Sequence, residues 1–105
     1  MQDKVIVKWT NLAEISYENE LNFIAEKWTI NEVIKFMDLT DNFIKTLEKG
    51  VLIGKISFKT KIHSFVISKQ TTLFFDYQLD KKTIELLLFW NNSQDPKKLK
   101  ELLNI

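Results

Sequence analysis

The spacing of apolar residues changes near the middle of the chain, at Gly50 and Gly54. Before these glycines, apolar side chains recur every three or four residues, which is typical of helices that pack through one face. Beyond them, the chain is rich in β-branched and aromatic residues with short polar breaks, which is typical of strands. Because helices and strands occupy separate parts of the sequence, the pattern predicts an α+β fold.

A short extended segment precedes the helical region. Val5, Val7 and Trp9 alternate with Lys4 and Lys8, so the apolar side chains share one face of an extended chain. We therefore expect an N-terminal strand with one buried face.

Two helices follow almost without a loop. The first is predicted from Leu12 to Lys27, with Asn11 as its N-cap, and the second begins after the capping residue Thr29 and ends at Gly50. The apolar stripe predicted for the second helix consists of Val33, Phe36, Met37, Phe43, Ile44 and Leu47. The short junction between the two patterns predicts an αα-hairpin.

Three strands are predicted in the second half, at residues 65–67, 73–79 and 84–90, with turns at residues 69–70 and 80–82. One face of the middle strand is expected to carry Leu73, Phe75, Tyr77 and Leu79. One face of the last strand is expected to carry Ile84, Leu86, Leu88 and Trp90, with Leu87 and Phe89 opposite. These strands form an antiparallel meander that completes one sheet with the N-terminal strand.

A short C-terminal helix is predicted to start at Asp95-Pro96, because aspartate favours the N-cap and proline the first helical position. With 105 residues, the chain has the length of one domain, which we place at residues 1–105.

Composition narrows the classes of function. The chain has no cysteine and one histidine, so we expect neither a metal site nor a cofactor. Its 15 basic residues, all lysine, nearly balance 14 acidic ones, so any basic surface must be local. Residues 1–5 lack a leader pattern and no apolar run is long enough to span a bilayer, so we expect a cytoplasmic protein without membrane contact.

Two segments of the second half strongly resemble toxins of the RelE/ParE superfamily. They are residues 65–75, FVISKQTTLFF, and residues 84–99, IELLLFWNNSQDPKKL. The N-terminal half matches that superfamily only in the order of its elements. The resemblance implies the toxin of a bacterial type II toxin–antitoxin pair, which a cognate antitoxin binds and neutralises. Sequence-specific DNA binding is not expected of the toxin without its antitoxin.

The superfamily includes toxins that cleave messenger RNA on the ribosome and toxins that poison DNA gyrase without evident chemistry of their own. Ribonuclease members carry arginines near the positions that are Thr72 and Ser93 here, and this chain has no arginine to form a bidentate phosphate contact. We therefore favour a gyrase poison over an enzyme. The alternatives are a ribosome-dependent endoribonuclease of the RelE kind and a degenerate member that binds its antitoxin without being toxic.

If the chain is a ribonuclease, the candidate catalytic residues are Lys59, Lys61 and His63. They alternate along the approach to a strand, so an extended chain would point all three side chains to one face. The lysines would hold phosphate and the histidine would transfer a proton. A solvated strand face explains the same pattern, and the missing arginines favour that explanation.

The candidate target-binding residues are Lys69 in the first predicted turn and Asn91, Asn92 and Gln94 after the last strand. Amides in such a polar run also commonly satisfy turn and cap hydrogen bonds, and this structural use is the favoured alternative.

Overall fold

The computed structural model describes residues 4–105, apart from the side chain of Leu79. Two sequence-based expectations therefore fall outside the described residues. They concern residues 1–3 of the N-terminal segment and the face on which Leu79 lies. The elements are β1 (Ile6–Trp9), α1 (Asn11–Lys27), α2 (Ile30–Glu48), β2 (Lys55–Ile56), β3 (His63–Ser68), β4 (Thr71–Gln78), a 3-10 turn (Leu79–Lys81), β5 (Thr83–Asn91) and α3 (Pro96–Leu103). Within the described residues, no helix is long and apolar enough to cross a membrane.

The five strands form one sheet in the order β1-β5-β4-β3-β2. β1 runs parallel to β5, and all other neighbouring strands are antiparallel. The predicted α+β fold is confirmed: an N-terminal strand, a helical hairpin, a meander of β3, β4 and β5, and a short C-terminal helix. β2 is an additional edge strand that the sequence pattern did not predict.

The α1–α2 hairpin packs on one face of the sheet and forms the core with it. Phe43 of α2 stacks on Phe65 of β3 with ring centroids 4.0 Å apart, and Phe75 and Leu73 of β4 are fully buried beneath them. Val5, just before β1, is buried, and Val7 and Trp9 of β1 pack against the core, as their alternation predicts.

The buried stripe of α2 differs from the predicted one at three positions: Met37 is exposed, Ile44 is only partly buried, and Thr40 is buried. It consists of Val33, Phe36, Thr40, Phe43 and Leu47. Met37 is 39% exposed, because this spacing of three and four residues rotates it away from the sheet. Thr40 is accepted in the core because its hydroxyl donates a hydrogen bond to the Phe36 carbonyl at 3.0 Å.

A bulge in β5 reverses the predicted faces of its second half. Phe75 pairs with Leu86 and Phe74 pairs with Leu88, so Leu87 has no partner on β4. The predicted shared face for Leu88 and Leu86 is therefore wrong, because one extra residue moves every later side chain to the opposite face.

Beyond the bulge, the two faces of β5 contact different parts of the protein. Phe89 joins the helix-covered core, whereas Leu88 and Trp90 face the other side of the sheet. Both are buried there, beside a cleft that residues of α3 also line. The C-terminal helix therefore lies near the second face of the sheet.

The predicted N-cap of α1 is off by one residue. Thr10, not Asn11, is the N-cap: its hydroxyl accepts a hydrogen bond from the Ala13 amide at 3.1 Å and donates one to the Leu86 carbonyl at 2.8 Å. Thr29 caps α2 as predicted, but its side chain makes no capping hydrogen bond.

α1 also covers the edge of β5 beyond the end of β1. The pairing of β1 with β5 stops at Trp9 and Leu86, which leaves the rest of β5 without a strand on that side. There the Ser16 hydroxyl accepts a hydrogen bond from the buried Phe89 amide at 2.9 Å. α1 therefore replaces the missing strand as a hydrogen-bond partner.

Candidate functional site

A buried polar cluster joins α1 to the ends of β4 and β5. Glu20 is 4% exposed, and its two carboxyl oxygens accept hydrogen bonds from Thr71 Oγ1 at 2.5 Å and Asn91 Nδ2 at 3.2 Å. The side-chain oxygen of Asn91, Oδ1, accepts hydrogen bonds from Ser93 N at 3.0 Å and from Ser93 Oγ at 2.6 Å. The buried polar groups at this end of the sheet thus satisfy one another.

The loop after β5 is tied to the turn between β3 and β4. The backbone N–H of Asn92 donates a hydrogen bond to the Gln70 carbonyl at 2.7 Å. The side-chain amide of Asn92 donates another to the Lys69 carbonyl at 3.3 Å. Thr72 Oγ1 donates to Asn92 Oδ1 at 2.9 Å. These bonds hold the two loops side by side.

Of the predicted target-binding residues, three are accessible and one is internal. Lys69, Asn92 and Gln94 are exposed, whereas Asn91 is 3% exposed and its amide contacts Glu20 and Ser93. All four lie at the same end of the sheet, because β3 ends and β4 begins beside the last residue of β5.

Two clefts open beside this end, and Lys69 and Gln94 line one each. Lys69 lines a cleft of about 430 Å³ between the helical hairpin and the β3–β4 turn, together with Phe36 and Leu39. Gln94 lines a second cleft of about 190 Å³, which α1, β5 and α3 enclose and which Glu20 reaches. Lys69 and Gln94 therefore line two neighbouring clefts rather than a single pocket.

Thr72 and Ser93 take part in the same hydrogen-bonded loops. The Thr72 hydroxyl is bound to Asn92, and the Ser93 hydroxyl is bound to Asn91. Both side chains are therefore used to hold the loop conformation, and neither supplies a positive charge.

The candidate catalytic residues lie at the opposite end of β3 and are not aligned. Lys59 and Lys61 belong to the turn between β2 and β3, and only His63 lies on a strand. The prediction that the three alternate along an extended chain is wrong, because Lys61 has a φ of 66° and the chain reverses through hydrogen bonds across the turn.

His63 faces the helix-covered side of the sheet. Its ring stacks on Phe75 with centroids 5.1 Å apart, and its Nδ1 atom is buried without a hydrogen-bond partner among the described residues. Burial lowers the pKa of His63, and the negative charge of Asp76 opposes that shift only in part. His63 thus contacts an aromatic ring of the core, whereas Lys59 and Lys61 are exposed in the turn.

Tyr17 is a second titratable group within an aromatic cluster. Its ring lies 4.9 Å from Phe89, 5.2 Å from Trp9 and 5.9 Å from Phe36. Burial raises the pKa of Tyr17, and Asp41 raises it further. Its geometry is that of a core residue with a polar tip.

The role of Glu20 in this cluster was not predicted from the sequence. One signal was available: Glu20 lies on the buried face of α1 with Ala13, Ser16 and Ile24, where a charged residue is unusual without partners. Its partners come from β4 and β5, so their identity required the tertiary fold. Among the described residues, no group of three or more histidine or acidic side chains is placed to hold a metal ion.

The sequence matches no protein-family model and no curated protein. A comparison with solved structures finds a similar chain in a structure described as "Chromosomal ParDE TA system from P. aeruginosa", where TA denotes toxin–antitoxin. The TM-score is 0.68 and the identity 14%, with 84% of this chain and 96% of the other covered. This chain therefore shares its fold with that chain.

Proposed function

We propose that this chain is the toxin of a type II toxin–antitoxin system, which inhibits growth by binding a macromolecular target and is neutralised by a cognate antitoxin. The observation that carries the proposal is the fold shared with a chain of a ParDE toxin–antitoxin system over 84% of this chain. DNA gyrase is the favoured target, and cleavage of ribosome-bound messenger RNA is the alternative.

The arrangement of the candidate catalytic residues supports binding over catalysis. General acid–base catalysis needs a proton-transfer group within reach of the reacting atom and of the charge that stabilises it. Here His63 stacks on Phe75 on the inner side of the sheet, whereas Lys59 and Lys61 are exposed in the turn beyond it. Thr72 and Ser93 hold loops together and add no phosphate-binding charge.

The polar end of the sheet is the proposed target-binding surface. Lys69, Asn92 and Gln94 are exposed there on loops that hydrogen bonds hold in place, and Asn91 supports them from beneath. Because hydrogen bonds already restrain these loops, their backbone loses little further conformational freedom on binding, which favours recognition of a protein surface.

The outer face of α2 is the proposed antitoxin-binding surface. Ile30, Ile34 and Met37 are exposed and lie on one side of the helix at a spacing of four and three residues. An apolar stripe of this kind fits an amphipathic segment of a small partner protein. Ile34→Asp should weaken antitoxin binding at least tenfold, whereas Glu18→Ala on the exposed side of α1 should leave it unchanged.

The test uses the purified toxin in two parallel assays, gyrase supercoiling with detection of cleavage complexes, and toeprinting of messenger RNA on programmed ribosomes. We expect inhibition of gyrase, intact messenger RNA, and relief of the growth defect when an adjacent short reading frame is co-expressed. Cuts at the ribosomal A site without an effect on gyrase would favour the nuclease. Antitoxin binding without activity in either assay would favour a degenerate, non-toxic protein.

A further inference from the structure

The charge of this chain is unevenly distributed along its sequence. Residues 49–75 contain five lysines and no aspartate or glutamate. The rest of the chain contains ten lysines and fourteen acidic residues, a net charge of −4 against +5 for this segment. The overall charge of +1 therefore conceals a basic region, which begins at the end of α2 and ends within β4.

The centre of this basic region is the β2–β3 hairpin tip, which we define as residues 55–62. It carries Lys55, Lys59 and Lys61, all exposed, around Phe58. Phe58 is 89% exposed, an unusual position for a phenyl ring in a folded domain. Within the described residues the one ion pair joins Lys35 to Glu32 on α2, so no salt bridge neutralises the lysines of the tip.

The hairpin tip is held in shape by its own hydrogen bonds. The Ser57 amide donates to the Ile62 carbonyl at 3.0 Å, and the Lys61 amide donates to the Ser57 carbonyl at 2.8 Å. The Ser57 hydroxyl accepts a further bond from the Thr60 amide at 3.3 Å. The exposed ring is thus presented by a closed turn, which reduces the entropy lost when the tip binds a partner.

We propose that the hairpin tip binds single-stranded nucleic acid, with Phe58 stacked on a base and Lys55, Lys59 and Lys61 in contact with phosphates. An unpaired base offers a flat apolar surface directly beside negative charge, which matches a ring surrounded by lysines. A duplex hides its base faces within the stack, so it would meet the lysines but not the ring. The inference goes beyond the proposed toxin role, and its assay needs neither antitoxin nor gyrase.

The test is fluorescence anisotropy with labelled twelve-nucleotide single strands of DNA and RNA and with the matching DNA duplex. The wild-type protein should bind the single strands more tightly than the duplex. Phe58→Ala should weaken single-strand binding by about fivefold to a hundredfold, whereas Phe58→Trp should retain it. Duplex binding should be the same for Phe58→Ala and the wild type.

The contribution of the hairpin-tip lysines can be measured separately, from the salt dependence of single-strand binding. For a single strand, log K falls with log salt by about 0.7 for each phosphate contacted. Lys59→Ala/Lys61→Ala should therefore lower the slope by about 1.4. The matched control is Lys4→Ala/Lys8→Ala at β1, which removes the same charge from the opposite edge of the sheet and should change the slope far less.

Three results would overturn the proposal: no binding of any single strand at about 50 mM salt, equal single-strand binding by Phe58→Ala and the wild type, or an equal decrease of the salt slope in the Lys4→Ala/Lys8→Ala control. If no oligonucleotide binds and Phe58→Ala instead impairs binding to gyrase or to the antitoxin, the tip is a protein contact. Circular dichroism provides the folding control, and truncation of so exposed a ring should leave the melting temperature within about 2 °C.

Discussion

The Thr71 hydroxyl donates a hydrogen bond of 2.5 Å to the buried carboxyl group of Glu20, a residue 51 positions earlier in the chain. This contact joins α1 to the first residue of β4, and the Asn91 amide extends it to the last residue of β5. The loops that carry Lys69, Asn92 and Gln94 start from these strand ends. The geometry of the proposed target-binding surface thus depends on a side chain that is itself inaccessible.

Glu20→Ala should lower the free energy of unfolding by about 2–4 kcal/mol, because it leaves the Thr71 hydroxyl and the Asn91 amide buried without an acceptor. Glu20→Gln keeps one carbonyl oxygen and should lower it less. Urea denaturation measures both, with Glu18→Ala on the exposed face of α1 as the control. Equal midpoints for Glu20→Ala and Glu18→Ala would show that the cluster contributes nothing to stability.

Thr10→Ala should lower the free energy of unfolding by about 1–2 kcal/mol, since it removes the cap of α1 and the hydrogen bond to the Leu86 carbonyl. Asn11→Ala should change it by less than about 0.5 kcal/mol, because Asn11 is an exposed residue of the first turn. Thermal unfolding of the two variants side by side is the measurement. The reverse order would place the cap at Asn11.

The lowered pKa of His63 makes stability depend on pH. Because folding favours neutral His63, the unfolded chain binds more protons once the pH falls below about 6.5. The free energy of unfolding should therefore be nearly constant above about pH 7.5, fall as the pH drops through about 6.5, and level off below the folded pKa.

Urea denaturation from pH 8 to pH 5.5, above the range in which most carboxyl groups titrate, measures this dependence. His63→Gln should show a flatter profile than the wild type. Asp76→Asn should show a steeper profile than the wild type. The charge of Asp76 raises the His63 pKa, so its removal lowers that pKa further. Identical slopes for the wild type and His63→Gln would remove His63 as the source.

Lys69→Ala and Gln94→Ala should reduce growth inhibition at least tenfold without changing the melting temperature by more than about 2 °C, since both side chains are exposed. Asn91→Ala should instead destabilise the protein by about 1–3 kcal/mol, because it removes the bonds to Glu20 and Ser93. Growth curves after induction and thermal unfolding of the purified variants test both parts. Full toxicity of Lys69→Ala and Gln94→Ala would move the target-binding surface elsewhere.

The elements of this fold could be predicted from the sequence because their signals are local. The spacing of apolar residues places both helices, β1 and the meander within a few residues of their observed bounds, and Asp95-Pro96 marks the start of α3. The buried face of β1 follows from the alternation of Val5, Val7 and Trp9 alone. In each case, the residues that decide the structure lie within one or two turns of one another.

Only the tertiary structure decided the features that depend on distant partners. Thr10 and Asn11 are both suitable caps, and the Leu86 carbonyl on β5 favours Thr10. The bulge at Leu87 arises from the pairing of β5 with β4, and pairing of β2 with β3 places Lys59 and Lys61 in a turn. The buried position of Glu20 likewise depends on strand ends more than fifty residues away in sequence. Such contacts form through space, and the local pattern of apolar residues does not encode which groups they bring together.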